Sequence, residues 1–317
     1  MADPSYFEQA VTDTVLMIRP VLFGFNRQTA ATNIFQLYGK ADPSAIQQAA
    51  HREFDKFVFL LKQAGIDVIV VDDTTEPHTP DSIFPNNWLS THHHGMMVMY
   101  PMLAPNRRLE RRSDILDLLN SRFHFRNILD LSYFEQQKKF LEGTGSLVLD
   151  RRNKIAYAAI SPRTDIDALN EFCHELHYRP VTFTTRVMNG IPVYHTNVVM
   201  AIGTVTAVVC TSAFEFPDQA ETILDELDAG GYEVIDLSEK QMLSFAGNML
   251  LVKNKSGEKF WVMSERAFES LGEKQKEALN ADGGFLFSPL ETIEHYGGGS
   301  ARCMMLEIFY PGMKMEF

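Results

Sequence analysis

Residues 42–71 read DPSAIQQAAHREFDKFVFLLKQAGIDVIVV. The stretch predicts an amphipathic helix over Ser44–Ala64, with Asp42 as N-cap, Pro43 at N1 and Gly65 after its end. The apolar run Ile66–Val71 then predicts a strand. The same helix, break and β-rich run recur four more times. The helices are Arg111–Asn120, Asp165–Leu176, Pro217–Ala229 and Ser264–Leu279, and the runs after them are His124–Leu131, Tyr178–Thr184, Tyr232–Leu237 and Gly284–Ser288. The β runs begin near 66, 124, 178, 232 and 284, a spacing of 52 to 58 residues. A fixed period of this length marks one supersecondary unit repeated around or along an axis.

Apparent hairpins fill the gaps between copies. Leu147–Leu149 and Ile155–Ile160 flank one polar turn, Val198–Ile202 and Val205–Cys210 flank Gly203-Thr204, and Met249–Val252 and Lys259–Met263 flank a third. Trp88–Ser90 and Gly95–Tyr100 flank His92-His93-His94. The missing fifth hairpin requires the C-terminal run Cys303–Tyr310 beside Val15–Arg19, which closes a ring. The fold class predicted is therefore α/β: a five-bladed, pseudo-symmetric propeller of ββαβ units, formed by one catalytic domain over residues 1–317. Closure removes exposed sheet edges. An open α/β sheet explains the alternation of helix and strand but not the even period.

The net charge of −12, from 29 basic and 41 acidic residues, argues against nucleic-acid binding. The N-terminus is polar and acidic and no apolar run approaches membrane-spanning length, so neither a signal peptide nor a membrane partner is expected. Cys173, Cys210 and Cys303 lie far apart, which gives no disulfide framework and points to a reducing cytoplasm. The His92-His93-His94 run has no carboxylate beside it, so no metal is expected there, and no cofactor elsewhere. Cys173 and Cys210 read as packing residues. Self-association is left open.

The start of the first hairpin strand is an equivalent position in every copy. Those positions hold Asn86-Asn87, Glu142 before Gly143-Thr144-Gly145, His195-Thr196-Asn197, Asn248 and Cys303. A ring brings them to one place. The segment Gly297-Gly298-Gly299-Ser300-Ala301-Arg302-Cys303 lets backbone approach a ligand closely, and Arg302 is expected to favour the thiolate. Cys303 is then the candidate nucleophile, His195 the proton shuttle, and Glu142 the group that orients the imidazole or receives a substrate N–H. Asn248 reads as conformational.

These motifs resemble the guanidino-group-modifying, or pentein, superfamily of arginine and agmatine deiminases, dimethylarginine hydrolases and amidinotransferases, over essentially the whole chain. Leu141-Glu142-Gly143-Thr144-Gly145 resembles its Glu-Gly-Gly-Asp motif, His195-Thr196-Asn197 its His-x-Asp, and Phe84-Pro85-Asn86-Asn87 its Phe-x-x-Asp. Ser161-Pro162-Arg163-Thr164 resembles a segment that supplies an arginine to the substrate carboxylate, and Pro105–Glu110 is expected to supply another, Arg108. The resemblance thus implies catalytic Cys303, His195 and Glu142, with Asn87, Asn197, Phe84, Arg163, Arg108 and Arg302 around the substrate.

Asn87 and Asn197 stand where the superfamily carries guanidinium-binding aspartates. A guanidinium offers only donors and requires carboxylate acceptors, whereas an amide suits a neutral ureido group. That preference agrees with the citrulline ureidase branch of the superfamily, which the chain resembles closely. The expected reaction is hydrolysis of citrulline at its ureido carbon to ornithine, ammonia and carbon dioxide. The alternatives are an arginine deiminase or dimethylarginine hydrolase, an amidinotransferase, or a non-enzymatic propeller, the last opposed by the retained Cys303, His195 and Glu142.

Overall fold

In the computed structural model, which describes residues 10–186 and 191–312, the first helix runs Pro43–Gln63. Asp42 accepts from the backbone N–H groups of Ser44 and Ala45, and Ile46, Ala50, Phe54, Phe57, Val58 and Leu61 form the buried face. Gly65, at φ 85°, turns the chain back toward the sheet. The following strand, Asp67–Asp72, pairs parallel with Thr14–Arg19 along its whole length. A right-handed helical crossover between parallel strands is the expected use of such a connection.

Five three-stranded sheets repeat this plan. In the second blade Leu89–His92 pairs antiparallel with Met96–Met99, which pairs parallel with Asn127–Asp130. The third uses Val148–Asp150, Ile155–Ile160 and Arg179–Thr184, the fourth Met200–Ile202, Thr206–Val209 and Glu233–Asp236, and the fifth Leu250–Lys253, Lys259–Ser264 and Gly284–Ser288. Met200–Ile202 packs against both Val148–Asp150 and Leu250–Lys253, and Leu306–Glu307 packs against Leu89–His92, so the first strands of the blades face one another as the inner wall. The middle strands are covered on both faces, so Val15, Leu16, Met17 and Ala156 to Ala159 are all fully buried.

The ring closes as the repeat count requires. Leu306–Glu307 pairs antiparallel with Thr14–Arg19, with Val15 opposite Glu307. The paired segment is shorter than the run Cys303–Tyr310, because beyond it the chain is shared between two blades. The Ile308 N–H donates to Thr14 O at 2.9 Å, while the Phe309 N–H donates to Thr91 Oγ1 at 2.7 Å. Cys303 itself lies in a turn before the strand, where its N–H bonds to Ser300 O. The fifth helix is also divided, into Glu265–Ser270 and Glu273–Leu279. Gly272 between them is extended (φ −75°, ψ 157°), and Gln275 Oε1 holds its N–H at 2.9 Å.

A short buried turn precedes the first strand of each blade. Pro85–Asn87, Gly143–Ser146 and Thr196–Val199 are such turns, and Asn248 and Cys303 sit in the corresponding turns before Leu250–Lys253 and Leu306–Glu307. Because the first strands form the inner wall, these turns gather at one end of the axis. Among the described residues no helix is long and apolar enough to cross a membrane.

Candidate active site

Cys303 is 3% exposed and lines a small pocket. Phe84, Asn87, Asp81, Arg107, Arg163, Tyr194, His195, Asn33 and the three glycines 297–299 complete its lining. Two amides touch the sulfur: Asn248 Nδ2 at 3.3 Å and Asn197 Nδ2 at 3.5 Å. Gly298 ends the helix Glu291–Gly297 in a left-handed conformation, φ 65°, and a Cβ there would lie 2.5 Å from Asn33 Nδ2. Phe84 packs so closely over Gly297 and Gly299 that a Cβ on either would fall within 2.9 Å of its ring.

His195 and Glu142 each cap the start of a one-turn helix, Thr196–Val199 and Gly143–Ser146. Their side chains meet at 2.9 Å, Nε2 to Oε2, and both are essentially buried. Burial works against the Glu142 charge, but Arg163, the His195 hydrogen bond and Arg107 outweigh it and hold the carboxyl well below the usual range. Burial lowers the His195 imidazole to about 4 against the pull of Glu142. The pair is thus a carboxylate and a neutral imidazole at neutral pH. Nε2 then carries the hydrogen it donates to Glu142, and Nδ1, which is buried with no hydrogen-bond partner, keeps its lone pair. The other Glu142 oxygen accepts from the Leu103 N–H at 3.1 Å.

Two buried arginines surround this pair. Arg163 donates to Thr29 O and Thr32 Oγ1, approaches Glu142 at 3.4 Å and lies over the Tyr194 ring. Arg107 makes a two-pronged pair with Glu110, both contacts at 2.9 Å, and stands 3.8 Å from Asp81 and from Glu142. Its remaining Nη1 donates to Asn87 Oδ1 at 2.8 Å. Burial opposes the Arg107 charge, and Glu110 and Asp81 outweigh it, so the guanidinium stays charged. Asp81 accepts from Asn26 and Thr29 through Oδ2, whereas its Oδ1 is buried without a partner.

The structure gathers Cys303, His195, Asn87, Phe84 and Arg163 around one pocket, with Glu142 directly behind His195. Asn197 touches the sulfur from the side and lines a separate axial cavity. Two expectations change. Arg108 points away, its guanidinium donating to Met102 O and Leu103 O and standing 3.4 Å from Glu135, while its neighbour Arg107 enters the site. Arg302 also turns from the thiol, because Glu307 takes its guanidinium at 2.6 Å and Met305 O at 3.0 Å. Gly145 has a different task from crowding a ligand. A Cβ there would lie 2.5 Å from Asn87 Nδ2 and 2.6 Å from His195 Nδ1, so the glycine makes room for the site's own side chains.

Sequence reasoning missed Asp81, Arg107 and Tyr194. The Arg107 signal was Glu110 three residues on, the spacing of a helical ion pair. Tyr194 adjoins His195 and Asp81 lies three residues before Phe84, and neither carried a signal separating it from other neighbours. His92 donates or accepts with Ser90 Oγ at 2.9 Å inside its strand, and the other thiols are packed, burial pushing Cys173 up to about 12. Among the described residues no group of three or more His, Cys, Asp or Glu side chains is placed to hold a metal ion.

The profile of the family described as N,N-dimethylarginine dimethylhydrolase, eukaryotic, matches residues 19–310. Among solved structures, apo ArgZ, an arginine dihydrolase from the ornithine–ammonia cycle in Cyanobacteria, superposes with a TM-score of 0.73 at 18% identity, over 94% of this chain and 41% of that one. Unliganded AgrE gives 0.73 at 16% identity, over 95% and 40% of the two chains. A cysteine-to-serine mutant of DDAH from Pseudomonas aeruginosa, complexed with citrulline, gives 0.64 at 11% identity, over 94% and 99%. The chain therefore spans about 41% of the length of ArgZ. At these identities the structural likenesses show a shared fold. No curated protein is matched by sequence.

Proposed function

The chain belongs to the N,N-dimethylarginine dimethylhydrolase family; from that premise we propose that it is a cysteine-dependent C–N hydrolase of pentein fold, which cleaves the terminal C–N bond of an arginine-derived amino acid. The observation that carries the proposal is the convergence of the Cys303 thiol, the His195–Glu142 pair and the open Asp81 Oδ1 on one pocket. Asp81 and the carboxylate behind His195 favour a cationic, donor-rich substrate. With the family match, this supports a guanidino substrate, arginine or a methylated arginine, above citrulline.

In the proposed reaction His195 Nδ1 takes the Cys303 proton and the thiolate attacks the guanidinium carbon, forming a C–S bond. The terminal C–N bond breaks, and the leaving amine carries away the proton held by His195. Water then adds to the S-amidino carbon while Nδ1 takes its proton. The C–S bond breaks, releasing a ureido product and the thiol. Glu142 holds the imidazole and offsets its transient charge.

The second reading is citrulline hydrolysis to ornithine, ammonia and carbon dioxide through an S-carbamoyl intermediate. A specific contact favours it: the Asn87 oxygen is occupied by Arg107, so Asn87 has only N–H to offer a substrate. The test is to incubate the purified protein separately with arginine, N,N-dimethylarginine and citrulline, and to assay citrulline, ornithine and ammonia. Release of citrulline from the first two supports the guanidino reading. Ornithine from citrulline alone selects the second, and no turnover of any of the three overturns both. We further propose that residues 1–317 act as one catalytic domain in a reducing, cytoplasmic setting, a placement supported by three separate free cysteines.

A further inference from the structure

Among the described residues the side chains hydrogen-bonded to the Cys303 sulfur are amides, not cations. Arg302, its sequence neighbour, is committed to Glu307 and Met305 O. His195 is buried against Glu142 and neutral until it accepts a proton. What the sulfur does have is the fully buried side chain of Asn248, 55 positions away in the chain. The orientation of that amide is determined by its partners. Oδ1 accepts from the Arg302 backbone N–H at 3.1 Å, which can only donate. Nδ2 therefore carries two hydrogens to the other side, one to Asn197 O at 3.0 Å and one to Cys303 Sγ at 3.3 Å. Every hydrogen-bonding capacity facing the site is used, and the amide has no alternative flip.

We infer that Asn248 is a further catalytic residue, which stabilises the Cys303 thiolate by a fixed N–H donated to sulfur. A thiolate is a much better acceptor than a thiol, so a donor held at the sulfur stabilises the charge that forms when the proton leaves for His195. Because the amide is held by the backbone of the nucleophile's own turn, it does not reorganise when the charge forms. Asn197 also reaches the sulfur, at 3.5 Å, but its Oδ1 has no partner and nothing fixes its flip. This role deepens the proposed function, since it rests on Cys303 as the attacking group.

The test separates the thiolate from turnover. Iodoacetamide labelling of Cys303, located by peptide mass spectrometry, is followed at pH 7 and pH 10 in wild type, Asn248→Asp and Asn248→Ala. Asn248→Asp keeps an oxygen for the Arg302 N–H and the same shape but removes the donor, so it remains informative if Asn248→Ala fails to fold. Expected is labelling about tenfold slower at pH 7 for Ala and more for Asp, converging on wild type at pH 10. kcat should fall in parallel with little change in KM. Wild-type labelling at pH 7 in a folded variant, or equal slowing at both pH values, overturns the inference. Full turnover by Cys303→Ser would instead overturn the functional reading, and with it the catalytic role given to Asn248.

Discussion

Arg107 donates through Nη1 to Asn87 Oδ1 at 2.8 Å, and this contact determines which way the Asn87 amide faces. The guanidinium has no acceptor, so the Asn87 oxygen must point at it and the NH2 must point elsewhere. One hydrogen goes to Asn86 Oδ1 at 3.1 Å, which leaves the other for the site. In Asn87→Asp, Arg107 would hold one carboxylate oxygen and the second would become an acceptor. The ratio of kcat/KM for citrulline over arginine should then fall about tenfold, in line with roughly 1.5–3 kcal/mol for a charge-assisted hydrogen bond less what Arg107 absorbs. An unchanged ratio would mean that Asn87 does not face the substrate.

Cys303→Ser should retain the fold and lose turnover by about three orders of magnitude or more, because a hydroxyl forms little alkoxide beside a base as weak as the buried His195. Circular dichroism and steady-state assays on one preparation check both halves.

Gly145→Ala should damage the site selectively. The added methyl would lie 2.6 Å from His195 Nδ1 and 2.5 Å from Asn87 Nδ2, so one of them must move. A displacement of this size costs about 100-fold in kcat. Activity within threefold of wild type would show that the imidazole position is not critical.

The adjacent arginines should behave oppositely. Arg107→Met leaves Glu110 buried without its partner, a loss of about 3–5 kcal/mol by urea unfolding. Arg108→Ala removes a part-exposed contact with Glu135, worth about 1 kcal/mol or less, and should leave kcat/KM within twofold. Equal effects would contradict the placement of Arg107 in the pocket.

Acid should weaken the fold through the His195–Glu142 pair. The imidazole takes a proton near 6.5 when unfolded but only near 4 when folded, so stability is lost as pH falls between those values. Glu142, held low in the fold, adds a loss of the same sign below about 4.5. From pH 7 to pH 5 wild type should lose about 2 kcal/mol from this histidine, at 1.36 kcal/mol per unit. His195→Asn should lose distinctly less over the same range, and an identical decline in both proteins would rule the histidine out as the source.

Most of the architecture was legible without coordinates. Asp42 and Gly65 bound the first helix by local hydrogen bonds and local backbone freedom, and the same grammar recurs in each copy. The even period then required a ring, and equivalence between copies placed Asn87, Glu142, His195, Asn248 and Cys303 together. These are properties of short segments and of their count, and they survive whatever the distant chain does. The broken fifth helix shows the limit, since Gly272 could equally have been absorbed into one longer helix.

What the tertiary structure alone decided is the direction of side chains. Arg107 and Arg108 are chemically identical neighbours, yet one enters the pocket and the other leaves it, because Glu110 and Asn87 lie on one side of that turn and Glu135 on the other. Arg302 is next to the nucleophile in sequence but is drawn to Glu307, whereas Asn248 is distant in sequence and touches the sulfur. A side chain's partner depends on which segments the packed ring brings within hydrogen-bond range. Buried charges and amides take the orientation that satisfies the most donors and acceptors there. The repeat pattern locates the turns, and only the assembled ring determines what each turn faces.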